Sequence, residues 1–249
     1  MTTKVAVVGA TGTMGRLVSR IVNDSDDFEL VASLASKDPL SDMLGADLVV
    51  DVTLPAVSQG VVDFAVANGL NVLVGTSGWS ADRIISLEHL LADVPATPDG
   101  PGVGVVIIPN FSLGSVLATS FAAMAARFYD SIEIIEAHKS SKIDSPSGTA
   151  VRTAEIIGKA RAALGPVIAP HADQRARGQQ VASVPIHSLR MQGVVAKQDV
   201  VFGGTGETLT VSHVTMSETS YEAGILLALR AAREATGVTV GLDKLLDLS

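Results

Sequence analysis

The chain has 249 residues, 47% hydrophobic and 18% charged, enough apolar material for one large core or two modest ones. A formal net charge of −8 argues against a general nucleic-acid binder, which needs a basic face, though it leaves room for an anionic small molecule wherever positive groups are concentrated. The absence of cysteine removes disulfide scaffolds, thiolate-bound zinc, iron–sulfur clusters and thiol nucleophiles together. No apolar run approaches the roughly 20 residues of a membrane span, and Met-Thr-Thr-Lys leads into a strand without a signal-peptide pattern, so the expected location is the cytoplasm.

Strands and helices alternate through the first hundred residues. Val5–Val8 is a short apolar run, and Met14, Leu17, Val18, Ile21 and Val22 follow at helical spacing. Phe28–Leu34 and Asp47–Val52 read as strands two and three. Val57–Ala67 reads as a helix stopped by Asn68-Gly69, and Asn71–Val74 as the fourth strand. Ser80 is placed to cap a helix carrying Ile84, Ile85, Leu87, Leu90 and Leu91. A Pro- and Gly-rich stretch, residues 94–104, delays the next strand, Val105–Ile108. This rhythm predicts an α/β fold with a Rossmann-like, doubly wound parallel sheet.

The pattern changes after Pro109. A helix is expected over Leu113–Phe128, a strand over Ile132–Ala137, and a second helix over Gly148–Leu164, followed by a polar loop through Gly178. Extended segments follow at Val184–Leu189, Val194–Phe202 and Thr208–Val214, the last two joined by a turn at Gly203–Gly206 that predicts an antiparallel hairpin. A final helix, Tyr221–Glu234, and a short Val238–Val240 segment close the chain. The expected organisation is a dinucleotide-binding domain from residues 1–109 and 218–249, enclosing a second α+β mixed-sheet domain over 110–217 for substrate binding and oligomerisation.

Gly9-Ala10-Thr11-Gly12-Thr13-Met14-Gly15 lies between the first strand and the first helix. A tight turn there needs residues without a Cβ, and the helix N-terminus offers free N–H groups to a pyrophosphate. No acid stands at Leu34-Ala35-Ser36-Lys37, where a ribose-binding carboxylate is expected; Lys37 either faces a 2′-phosphate or is a solvated loop lysine. Gly75-Thr76-Ser77-Gly78 and Asp51-Val52-Thr53-Leu54-Pro55 end neighbouring strands at the carboxyl edge of the expected sheet and outline one side of a cleft.

The richest stretch is Glu136-Ala-His138-Lys139-Ser-Ser-Lys142-Ile-Asp144-Ser-Pro146-Ser147-Gly148-Thr149. It gathers an imidazole and two ammonium groups before a helix start whose N–H groups suit a carboxylate. G-x-x-x-x-G-K-[ST], H-E-x-x-H and G-x-S-x-G motifs are missing, and Gly203–Gly206 has no helix after it.

With these motifs the sequence resembles the 4-hydroxy-tetrahydrodipicolinate reductase (dihydrodipicolinate reductase) family over essentially its whole length. Further matching segments are Asn110-Phe-Ser112…Gly114, Pro185-Ile-His187, Arg190…Gly193 and Val201-Phe-Gly203…Gly206-Glu207. The resemblance implies a homotetramer that takes hydride from NADPH or NADH to reduce a cyclic dicarboxylate in diaminopimelate and lysine biosynthesis. It makes His138 an acid or charge-stabilising group and Lys142 the proton donor, with Gly148 and Thr149 binding a substrate carboxylate. Cofactor contacts would come from the Gly9–Gly15 turn, Lys37, Gly75, Thr76, Ser77, Pro109, Asn110 and Phe111. Four positions depart from the family pattern: Lys139 and Lys197 stand for usual histidines, and Thr13 and Glu218 for usual arginines. Lys139 would still help bind substrate. Two alternatives share the glycine turn: a reductase of another small acid, and a non-catalytic NADPH sensor, which would have no need of His138, Lys142 and the helix start together.

Overall fold

The first apolar run becomes β1 (Thr3–Val8), followed by α1 (Thr13–Asn23), β2 (Phe28–Leu34), β3 (Leu48–Asp51), α2 (Pro55–Ala67), β4 (Asn71–Val74), α3 (Ala81–Asp93) and β5 (Gly104–Ile107). The structure, a computed structural model, describes residues 2–93 and 102–246, so residues 94–101 of the Pro- and Gly-rich stretch lie outside the described residues. Next come α4 (Leu113–Ala125), β6 (Ser131–Lys139), α5 (Gly148–Ala160), β7 (Gln179–Val181), β8 (Val184–Met191), β9 (Ala196–Gly204) and β10 (Glu207–Thr215). The last elements are α6 (Glu222–Arg233), β11 (Gly237–Val240) and the single turn α7 (Leu242–Leu245). Two units divide the chain: Met1–Phe111 with Tyr221–Ser249, and Ser112–Ser220.

In the first unit six strands form one sheet in the order β11-β5-β4-β3-β1-β2, and every adjacent pair is parallel. Every residue of β3 and β5 is buried, as two-sided helix cover requires, which explains their near-continuous valine content. The strand order reverses between β1 and β3, and this switch point opens a crevice beyond their carboxyl ends. The C-terminal segment completes this unit. Val238 pairs with Val105, and Asn71 Nδ2 donates to the carbonyl of Ala232 at 2.9 Å while its Oδ1 accepts from Gly104 N at 2.9 Å. Gly224 lets α6 approach the Phe111 carbonyl, which a Cβ would meet at 1.9 Å.

The second unit has a mixed sheet in the order β10-β9-β6-β8-β7, with only β6 and β8 parallel. Alternation along the strands sends Ile132, Ile134, Ile186, Val200 and Phe202 into a core closed by Ala122, Ala126, Ala150, Ala154 and Ile157 of the helix layer. The opposite face carries Ile135, Leu189, Met191 and Val214, each between 39% and 48% exposed.

The structure adds β7, which the sequence pattern does not announce. Its two-residue turn to β8 uses Ala182 and Ser183, both at positive φ (46° and 69°), where Asn-Gly would be the usual signal. The second long helix also ends earlier than its apolar spacing suggests, at Ala160, and a separate 3-10 turn covers Ala162–Leu164.

Candidate active site

The first unit shapes a dinucleotide-type turn. Gly9 takes φ +88°, and its N–H and that of Ala10 both donate to Leu34 O, tying the turn to the end of β2. A Cβ on Gly9 would lie 2.7 Å from Val52 O, and one on Gly15 would lie 2.2 Å from Gly9 O, so backbone approaches where side chains are excluded. Gly12, Thr11 and Thr13 are exposed. Gly12 caps α1 without a side-chain hydrogen bond, which leaves the first-turn N–H groups facing outward for an anion. These features fit a dinucleotide pyrophosphate.

A buried carboxylate braces the neighbouring strand end. Asp51 accepts from Thr53 N at 3.1 Å, Thr53 Oγ1 at 2.5 Å and Ser58 Oγ, and Trp79 Nε1 donates to Ser58 Oγ at 2.9 Å. Thr76 is buried with its hydroxyl 3.4 Å from Asp51 O, while Ser77 and Pro109 are exposed and Asn110 is half-buried. Phe111 is buried, and its ring excludes any Cβ on Gly75, which would meet Cε2 at 2.7 Å. Its evident contact is therefore with the Gly75 backbone. Lys37 is exposed. The region also holds a carboxylate that the reading of residues 34–37 missed: Asp38, whose Oδ2 accepts from Ala35 N at 2.7 Å. Its place directly after Lys37 in the sequence was the available signal.

The second unit brings strand and helix start together. β6 carries His138 on the helix-covered side, and His138 Nδ1 lies 2.6 Å from Oε2 of the fully buried Glu136. Arg190 of β8 grips Glu136 with both terminal nitrogens, at 3.0 and 2.9 Å, and donates to Asp144 O at 2.6 Å. Ser147 N donates to Glu136 Oε1 at 3.2 Å, and Ser147 Oγ caps α5 by accepting from Ala150 N at 3.2 Å. Gly148 and Thr149 supply first-turn N–H groups without an intrahelical partner, and space beside Gly148 is open. Lys142 Nζ pairs with Asp144 Oδ1 at 2.8 Å, and this ammonium holds the Asp144 carboxyl below its ordinary value.

Thus His138, Gly148 and Thr149 share one hydrogen-bonded framework, and Lys142 joins it through the 142–144 loop. Lys139 does not: it is exposed at the end of β6, on the alternate side of the strand from His138. Glu136 and Arg190 were legible only as matching residues. Their signal was polar occupation of strand positions in phase with Ile132 and Ile134, and with Val184 and Ile186.

A Rossmann-like parallel sheet with a glycine turn, joined to a mixed-sheet unit bearing an imidazole beside an anion seat, defines an oxidoreductase of the dinucleotide-binding type. Residues 3–111 match the family profile described as dihydrodipicolinate reductase, N-terminus, and residues 114–246 match its C-terminus. The chain belongs to the dihydrodipicolinate reductase family. It is 74% identical over 248 residues to the 4-hydroxy-tetrahydrodipicolinate reductase of Clavibacter michiganensis subsp. michiganensis, covering 100% of this chain and 87% of that one. Identity to the enzyme of the same name from Streptomyces griseus subsp. griseus is 43%, covering 99% and 98%. A solved dipicolinate-bound dihydrodipicolinate reductase from Paenisporosarcina sp. TG-14 superposes with a TM-score of 0.80 at 28% identity, covering 98% of this chain and 99% of that one.

Proposed function

We propose that this chain reduces 4-hydroxy-tetrahydrodipicolinate to tetrahydrodipicolinate, with loss of water, in cytoplasmic diaminopimelate and lysine biosynthesis. The observation that carries this reading is the joining of His138, through Glu136, to a helix start with open N–H groups at Gly148 and Thr149. A cyclic dicarboxylate needs such a seat, and the dipicolinate held by the Paenisporosarcina relative has that chemistry.

Loss of the ring hydroxyl together with a proton of the neighbouring carbon, as water, leaves the more unsaturated ring, to one carbon of which NADPH or NADH, when bound, would supply hydride. The first unit's glycine turn would hold its pyrophosphate, with Gly75, Thr76, Ser77, Pro109, Asn110 and Phe111 around the remainder and Lys37 toward the adenosine end. In the second unit, Gly148 and Thr149 bind one ring carboxylate, and Lys139, outside the hydrogen-bonded framework and on the other side of β6, adds charge only from over the strand's end. Lys142 donates the proton to the carbon next to the one that accepts hydride, and His138 stabilises or protonates the charge that develops. The exposed apolar positions Ile135, Leu189, Met191 and Val214 support assembly of four copies through the open sheet face.

The test is consumption of NADPH with freshly generated 4-hydroxy-tetrahydrodipicolinate. Turnover with that compound supports the reading. Turnover only with other small acids, or dinucleotide binding without turnover, overturns it in favour of another reductase or a sensor.

A further inference from the structure

Glu136 is fully buried in a strand whose inward neighbours are Ile132 and Ile134, an expensive place for a carboxylate unless hydrogen bonds replace its water. They do. Burial pushes its carboxyl up, but hydrogen bonds led by those of Arg190 outweigh this and hold it below its ordinary value of 4.5. Both oxygens are engaged: Oε1 accepts from Arg190 Nη2 and Ser147 N, while Oε2 accepts from Arg190 Nη1 and faces His138 Nδ1. An ionised carboxylate can only accept, so the proton of the 2.6 Å contact belongs to Nδ1. A neutral imidazole protonated there leaves Nε2 free to take up a proton, and the imidazolium so formed turns its Nε2–H outward as the acid or charge-stabilising donor.

We infer that Glu136 is a positioning residue: its carboxylate fixes His138 as the Nδ1–H tautomer, presenting Nε2 to the reacting ligand, and the same carboxylate anchors the entry to α5. Arg190 extends the anchor by holding Asp144 O, so imidazole and anion seat take their positions from one buried group. An ion pair that served packing alone would be indifferent to the imidazole tautomer. The assignment rests on the role given to His138 in the proposed reaction, but the tautomer can be measured without turnover.

The experiment is ¹⁵N–¹H correlation of the imidazoles in the full chain at alkaline pH, with His138→Gln identifying the signal. The parent is expected to show Nδ1–H at His138. In Glu136→Gln the amide can donate to Nδ1, so the proton moves to Nε2. Turnover should then fall by about 10²-fold or more while the dissociation constant for NADPH stays within about twofold. Glu136→Asp, which keeps the charge, should recover part of the loss. A parent Nε2–H tautomer overturns the inference without any variant. So does a Glu136→Gln protein that keeps the parent tautomer and turns over within a few-fold. Failure of the parent to consume NADPH with 4-hydroxy-tetrahydrodipicolinate counts against the proposed reaction, and the tautomer still decides the role of Glu136.

Discussion

The carbonyl oxygen of Gly9 lies 2.2 Å from the place a Cβ on Gly15 would occupy, so the first turn of α1 rests directly on the backbone of the glycine turn. Gly15→Ala must push that turn out of place. A stability loss of about 1–3 kcal/mol is expected from overpacking, with a larger proportional loss of dinucleotide affinity. Thermal unfolding and NADPH titration measure the two. Unchanged affinity would show that the turn does not cradle the cofactor.

Lys142 and Lys139 should separate by kinetic signature. Lys142→Ala is expected to keep NADPH affinity while kcat falls about 10²–10⁴-fold, the usual cost of removing a proton donor. Lys139→Ala should raise KM more than it lowers kcat, because a rim cation contributes mainly binding. If Lys142→Ala turns over within a few-fold of the parent, its pairing with Asp144 is only a surface ion pair.

Cofactor choice turns on Lys37 and Asp38. The Asp38 carboxylate is engaged by Ala35 N, and Lys37 is exposed beside it, so NADPH should serve at least as well as NADH. Lys37→Ala should lower kcat/KM for NADPH and leave NADH nearly unaffected. A strong NADH preference in the parent would instead place Asp38 on the adenosine ribose.

Leu189→Glu tests the open face of the second unit. A charge beside Ile135 and Met191 should break assembly, giving a smaller species in light scattering than the tetramer expected of the parent. A parent that is monomeric at micromolar concentration would refute the assembly outright.

Acid should weaken the fold through Glu133. Burial raises its carboxyl, but hydrogen bonds from Arg177 and His187 dominate and hold it below its ordinary 4.5. The folded pKa is thus the depressed one. The stabilisation is present above pH 4.5 and is lost as pH falls through the lower folded value. Glu133→Gln should therefore show a shallower decline in stability below pH 4.5 in denaturant titrations than the parent; an equal slope would mean the pair contributes nothing.

Local pattern determined much of this protein. Val5–Val8 and Val72–Val74 announce strands because strands buried on both faces leave little place for polar residues, while Phe28–Leu34 at the sheet edge shows itself by alternation, with Glu29, Val31 and Ser33 exposed. The glycine turn was legible because its backbone contacts exclude Cβ atoms, and the His138–Thr149 segment because it crowds polar chemistry into a few neighbouring positions. Tertiary structure decided what depends on distant partners. β7 exists because Ala182 and Ser183 accept positive φ in a turn seated on Gly158, where a Cβ would meet Ala182 Cβ at 2.9 Å. Arg190 meets Glu136 across 54 positions of sequence only because β6 and β8 pair in a register that sets His138 opposite Arg190. Periodicity tells which side of a strand a residue faces; pairing between strands decides what waits there, and so the support of His138 belongs to the folded chain alone.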